Sequence, residues 1–161
     1  MHRDDWELYL RSEGRRGGAS PPKMTRDLDA TDGMTLKVGD VTATIFTMTG
    51  HTPGSIGMVV PVRFQGRPHP ILLVTAGTDV RNREAFVGGY EHIWDEAIKM
   101  KVESVMQGHP NTNMNLLART KYVHDHYPPA RNPLLYGAPR TARYIEIMRN
   151  CTLARMEILG W

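Results

Sequence analysis

One cysteine among 161 residues leaves no partner for a disulfide within the chain. Long hydrophobic runs are also missing: no stretch approaches the ~18–20 apolar residues of a membrane-spanning helix. No signal peptide is expected at the start, which reads Met1-His2-Arg3-Asp4-Asp5-Trp6, like a surface helix. Excess charge is slight, at +3, and the basic residues are scattered. Arg15-Arg16 and Arg140 with Arg143 come nearest to a patch and read as solvated surface, which argues against a nucleic-acid partner. Internal repeats and low-complexity segments are absent. What the chain does have is 40% hydrophobic residues, enough for one core in a domain of this length. Residues 1–161 are therefore read as a single domain.

Within it, residues 1–13 form a surface helix, with Trp6, Leu8, Tyr9 and Leu10 at helical spacing and Asp4 or Asp5 as its cap. Residues 14–31 form a loop rich in glycine and proline. Residues 32–75 are β-rich. Met34, Leu36 and Val38 alternate with polar residues, Gly39-Asp40 turns, and Val41, Ala43 and Ile45 alternate on the return, a hairpin pattern. Ile56, Met58, Val60 and Val62 alternate again before a turn at Gln65-Gly66-Arg67-Pro68. Ile71-Leu72-Leu73-Val74 is apolar on both faces, as in a central strand. Residues 84–161 are mainly helical with one strand. A helix from Glu84 to Met100 carries Phe86, Tyr90, Ile93, Trp94 and Ile98, and a strand follows over 102–106. A third helix, capped by Asn113 or Asn115, runs through Leu116, Leu117 and Tyr122 until Pro128-Pro129 stops it. The last spans 138–159, with Tyr144, Ile147, Met148, Cys151, Ala154 and Ile158 as its apolar stripe. This order implies an α/β fold, a mixed sheet with helices packed on one face.

The chemistry centres on Thr49-Gly50-His51-Thr52-Pro53-Gly54-Ser55. Glycines on either side and a proline two residues on make a stiff loop that presents one imidazole at a strand end. An ordinary turn with an exposed histidine would look the same. A metal ligand, however, needs a ring held in place beforehand. His109 repeats the arrangement, since it follows a strand within Gly108-His109-Pro110. If the two strands are neighbours, both rings emerge at one end of the sheet.

These stretches resemble the metallo-β-lactamases. The likeness runs from Asp32-Gly33-Met34-Thr35-Leu36-Lys37-Val38-Gly39-Asp40 through Gly50-His51-Thr52-Pro53-Gly54-Ser55. It continues in Gly108-His109-Pro110 and in Asn132-Pro133-Leu134-Leu135-Tyr136-Gly137 with the last helix, which look like the third subclass. The resemblance implies half or more of an αβ/βα sandwich with a di-zinc hydrolase site. There His51 would be a ligand of the first zinc and His109 of the second. The metal would lower the pKa of water to near neutrality and polarise a carbonyl or phosphoryl group of a small-molecule substrate. Thr78 falls where relatives carry a bridging Asp or Cys (the third subclass uses Ser), with Asp79 one residue late, so both are candidate metal or neighbouring groups. Asn111 and Asn113 are candidate substrate contacts.

The hallmark His-x-His-x-Asp-His of that family is absent from these residues. His124-Asp125-His126 has part of its spacing, but residues two apart on a helix point ~200° from each other and cannot share a metal. His2, His69 and His92 read as structural or solvent-facing. Trp6, Trp94 and Trp161 read as packing residues, and Cys151 as a small buried hydrophobe. Two convincing ligands, one for each zinc, fall short of the three that a catalytic zinc takes. The expectation is therefore a carboxy-terminal part of a zinc hydrolase, weakly active or inactive alone. The alternative is a catalytically silent interaction module or homodimer that uses its exposed sheet as an interface.

Overall fold

The computed structural model describes residues 1–12, 25–74, 83–109, 115–158 and 160. The elements are α1 (Arg3–Ser12), β1 (Thr35–Val38), β2 (Val41–Thr47), β3 (Ile56–Phe64), β4 (Arg67–Val74), α2 (Arg83–Lys99), β5 (Ser104–Gln107), α3 (Leu116–Asp125) and α4 (Ala138–Ile158). Five strands form one sheet in the order β1-β2-β3-β4-β5. The first four pair antiparallel as successive hairpins, and the turn of the first is Gly39-Asp40, with Gly39 at φ 61°. Beyond β4 the chain crosses through α2 and returns as β5, parallel to β4. A parallel neighbour requires such a crossover, and here α2 supplies it. The expected mixed sheet of an α/β fold is what forms.

Strand register decides which side chains share a face. Phe46 pairs with Gly57, Val59 with Leu72, and Leu72 with Val105, so these lie on one face with Val74. That face packs on Ile93, Trp94 and Ala97 of α2 and Ile145 of α4, all buried, with Tyr90, Tyr144 and Met148 at the margin. Gly57 lies under Ile93, whose Cδ1 fills the space a Cβ would need. The two glycines inside α2 therefore do not mark a break. Gly89 lies against the Thr49 backbone so closely that any side chain there would collide with it. Absence of a side chain is the condition for α2 to seat beside the end of β2. The opposite face carries Leu36, Ala43, Ile45, Met58, Val60, Ile71, Leu73 and Met106. Of these, Ile45 and Ile71 are buried and the other six only half-buried.

Several expectations are corrected. Cys151 is exposed, not buried. Ile147 and Ile158 of the expected α4 stripe are exposed as well, whereas Thr141, Ile145 and Met156 are buried. The buried face lies about a third of a turn from the apolar stripe. Thr141 tolerates burial because its Oγ1 donates to the Gly137 carbonyl at 3.0 Å. Asn115 precedes α3 in a left-handed conformation (φ 59°) and makes no side-chain cap bond. The part of the loop expected over 14–24 lies outside the described residues. His69 is structural and buried at 5% exposure: its Nδ1 lies 2.8 Å from Glu103 Oε2, which ties β4 to the entry of β5.

Candidate functional site

The ends of β2, β4 and β5 and the start of β3 meet along one side of the sheet. Thr47 pairs with Ile56, Met58 with Leu73, and Val74 with Gln107. The loop bearing His51 joins β2 to β3, and His109 follows β5 by two residues, so both histidines stand at this rim. Roughly 12 Å of sheet width, at 4.7–4.9 Å per strand, separates the bases of the two loops. Both residues are exposed. His51 has no hydrogen-bond or ion-pair partner among the described residues, and the ring is available to a ligand. Thr78, Asp79, Asn111 and Asn113 lie outside the described residues.

The loop at His51 is braced from three sides. Asp5, in the first turn of α1, accepts hydrogen bonds from Thr52 Oγ1 at 2.7 Å and from the Gly54 amide at 2.9 Å. Ser55 Oγ accepts from the Thr52 amide at 2.9 Å and lies 2.8 Å from Thr52 Oγ1. Because Thr52 spends its one hydroxyl proton on Asp5, Ser55 is the donor in that last contact. Across the base of the loop, the Met48 amide donates to the Ser55 carbonyl at 2.8 Å. Both small residues have a steric reason. A Cβ on Gly54 would come within 2.8 Å of Asp5 Cγ, and one on Gly50 within 2.7 Å of the Phe86 ring. The histidine is thus carried on backbone fixed by α1 below and by α2 beside it. Sequence reading offered Asp4 or Asp5 only as a helix cap. The local signal for its second role, two protons needing an acceptor in a Thr-Pro-Gly turn, is too general to name a partner 47 residues away.

Asp32, at the entry to β1, is a second brace. Its Oδ1 accepts from the Thr47 amide at 2.8 Å and lies 2.8 Å from His92 Nε2 on α2. Burial pushes this carboxyl up, but the Thr47 amide and the His92 ring together outweigh it and hold it below the ordinary 3.8. His92 is therefore a structural clamp between α2 and the end of β2.

Among the described residues no group of three His, Cys, Asp or Glu side chains could hold a metal. His124 and His126 stand at the end of α3, and His126 Nδ1 is within 2.9 Å of the Tyr122 carbonyl of its own helix. Among the described residues the rim therefore offers two imidazoles, fewer than the three protein ligands of a catalytic zinc.

No protein-family profile and no curated protein matches this chain. Solved structures do. BJP-1, a subclass B3 metallo-β-lactamase of Bradyrhizobium japonicum, is 20% identical at a TM-score of 0.60, with 88% of this chain covering 56% of that one. FEZ-1 of Legionella gormanii is 15% identical at a TM-score of 0.70, with coverages of 97% and 63%. A metallo-β-lactamase of Cronobacter sakazakii is 17% identical at 0.67, with coverages of 98% and 64%. The chain spans less than two thirds of the length of each. At such identities the likeness is one of architecture: this chain has part of the metallo-β-lactamase fold.

Proposed function

We propose that the chain supplies the His51 and His109 rim of a zinc-dependent hydrolase site and does not complete that site alone. The observation that carries this reading is the bracing of the His51 loop. Three side-chain hydrogen-bonding groups and two glycine contacts hold a ring that has no partner among the described residues. Such order around an exposed imidazole suits a ligand more than a turn. Bound zinc would supply Lewis-acid polarisation of a carbonyl or phosphoryl group and a low pKa for water. The chain's own contribution is positional: Asp5, Thr52 and Ser55 fix the backbone at His51, and β5 carries His109 to the same rim. Further ligands must come from residues outside those described or from a missing amino-terminal half. The substrate expected is a small molecule, and activity of this chain alone is expected to be weak or nil.

A second reading, a silent interaction module or homodimer, rests on the half-buried sheet face of Leu36, Met58, Val60, Leu73 and Met106. Zinc content per chain separates the two. The first reading expects bound zinc that falls in both His51→Ala and His109→Ala with folding intact. No zinc in the unmutated protein, together with a stable dimer in light scattering, supports the second and overturns the first.

A further inference from the structure

Three arginines distant in sequence line one cavity of about 330 Å³: Arg119 from α3, Arg131 from the segment after it, and Arg140 from the first turn of α4. Among the described residues no carboxylate lines this cavity, and none of the three arginines forms an ion pair. Gathering like charges is unfavourable unless something of opposite sign joins them. Arg140 sharpens the point. It occupies the first turn of a 21-residue helix that has no acidic residue there, and a cation is disfavoured at that positive end.

The cavity is built on fixed parts. Arg119 Nη1 donates to the Pro133 carbonyl at 3.1 Å, and its guanidinium lies 4.9 Å above the Tyr136 ring. Tyr136 is itself pinned, its amide donating to the Glu103 carbonyl at 2.8 Å.

We propose that this cavity binds the phosphate group of a small phosphorylated molecule. A carboxylate satisfies one guanidinium fork, whereas a phosphate dianion presents oxygens to several forks at once. The volume lies at the small end of ligand pockets. Glu103 precedes β5, so this cavity is anchored at the end of the strand opposite His109, and the inference stands apart from the zinc reading.

The test is calorimetric titration of the full chain, first stripped of metal by chelation, with inorganic phosphate and pyrophosphate at constant ionic strength. Saturable binding is expected at about 1 mM or tighter. Arg131→Gln and Arg140→Gln, both at exposed positions, should each weaken it about tenfold while melting as the parent does. Absence of saturable binding, or unchanged affinity in the Arg131→Gln, Arg140→Gln double variant, overturns the proposal. So does tighter binding of a single-stranded oligonucleotide than of pyrophosphate, which would assign the arginines to a nucleic-acid backbone.

Discussion

Replacing Asp5 by alanine tests the bracing of the His51 loop at its strongest point. The carboxylate accepts two hydrogen bonds, from Thr52 Oγ1 and from the amide of Gly54, a buried residue. A hydrogen bond to a charged group contributes about 1.5–3 kcal/mol, which puts the pair at about 3–6 kcal/mol before solvent is considered. Asp5 is only half-buried, so water recovers part of that; its place near the start of α1 adds about 0.3–1 kcal/mol through the helix dipole. Asp5→Ala is therefore expected to cost about 2–4 kcal/mol in denaturant unfolding. Asp5→Asn, which keeps an oxygen for Thr52 but turns a poor partner to Gly54, should cost about half as much. Hydrogen exchange at the Gly54 amide is the local readout, and it should quicken in both variants more than at the Leu72 amide in the core. Stability within about 0.5 kcal/mol of the parent, with Gly54 still protected, would refute the bracing.

Gly89→Ala separates two opposed effects. Helix propensity alone predicts a gain of about 1 kcal/mol, whereas collision with the Thr49 backbone predicts a net loss of about 1–3 kcal/mol by thermal or denaturant unfolding. Asp32 has a lowered carboxyl, so its contribution is present above the ordinary 3.8 and is lost as pH falls through the lower folded value. Asp32→Asn should remove that part of the acid sensitivity measured by unfolding against pH. Tyr144, whose hydroxyl is buried without a partner, is pushed up to about 12, first by burial and then by Tyr136. Its neutral form is favoured in the fold, so stability should fall as pH rises above 10 towards 12, and Tyr144→Phe should abolish that fall. Since phenylalanine leaves no orphaned hydroxyl, the variant should also be no less stable at neutral pH, by thermal melting.

What the sequence discloses follows from how local each interaction is. The β1–β2 hairpin was legible because alternation and a Gly-Asp turn are read within a dozen residues. Glycine and proline mark the turns around His51 and His109 in the sequence. That they stand at one rim depends on pairing of β4 with β5 across α2, which no short window contains. The helix of Arg83–Lys99 was found despite Gly88-Gly89, but the role of Gly89 was not, since its reason is the backbone of Thr49. The α4 stripe misled because Ile147 and Ile158 stand on the solvent side of the helix. Burial followed the helix's docking on β5 and α2, and Thr141 satisfied its own hydroxyl within the helix. Three arginines on three segments left no pattern at all, and only the fold brings them to one cavity.

The central claim is that the two imidazoles of the sheet rim are metal ligands. It is tested most directly by following the ring nitrogens of all seven histidines by NMR during a zinc titration. The account predicts that His51 and His109 shift at the lowest zinc concentrations, ahead of His124, His126, His69 and His92. Zinc taken first by His124 and His126, or no response from His51 and His109 at any concentration, would contradict it.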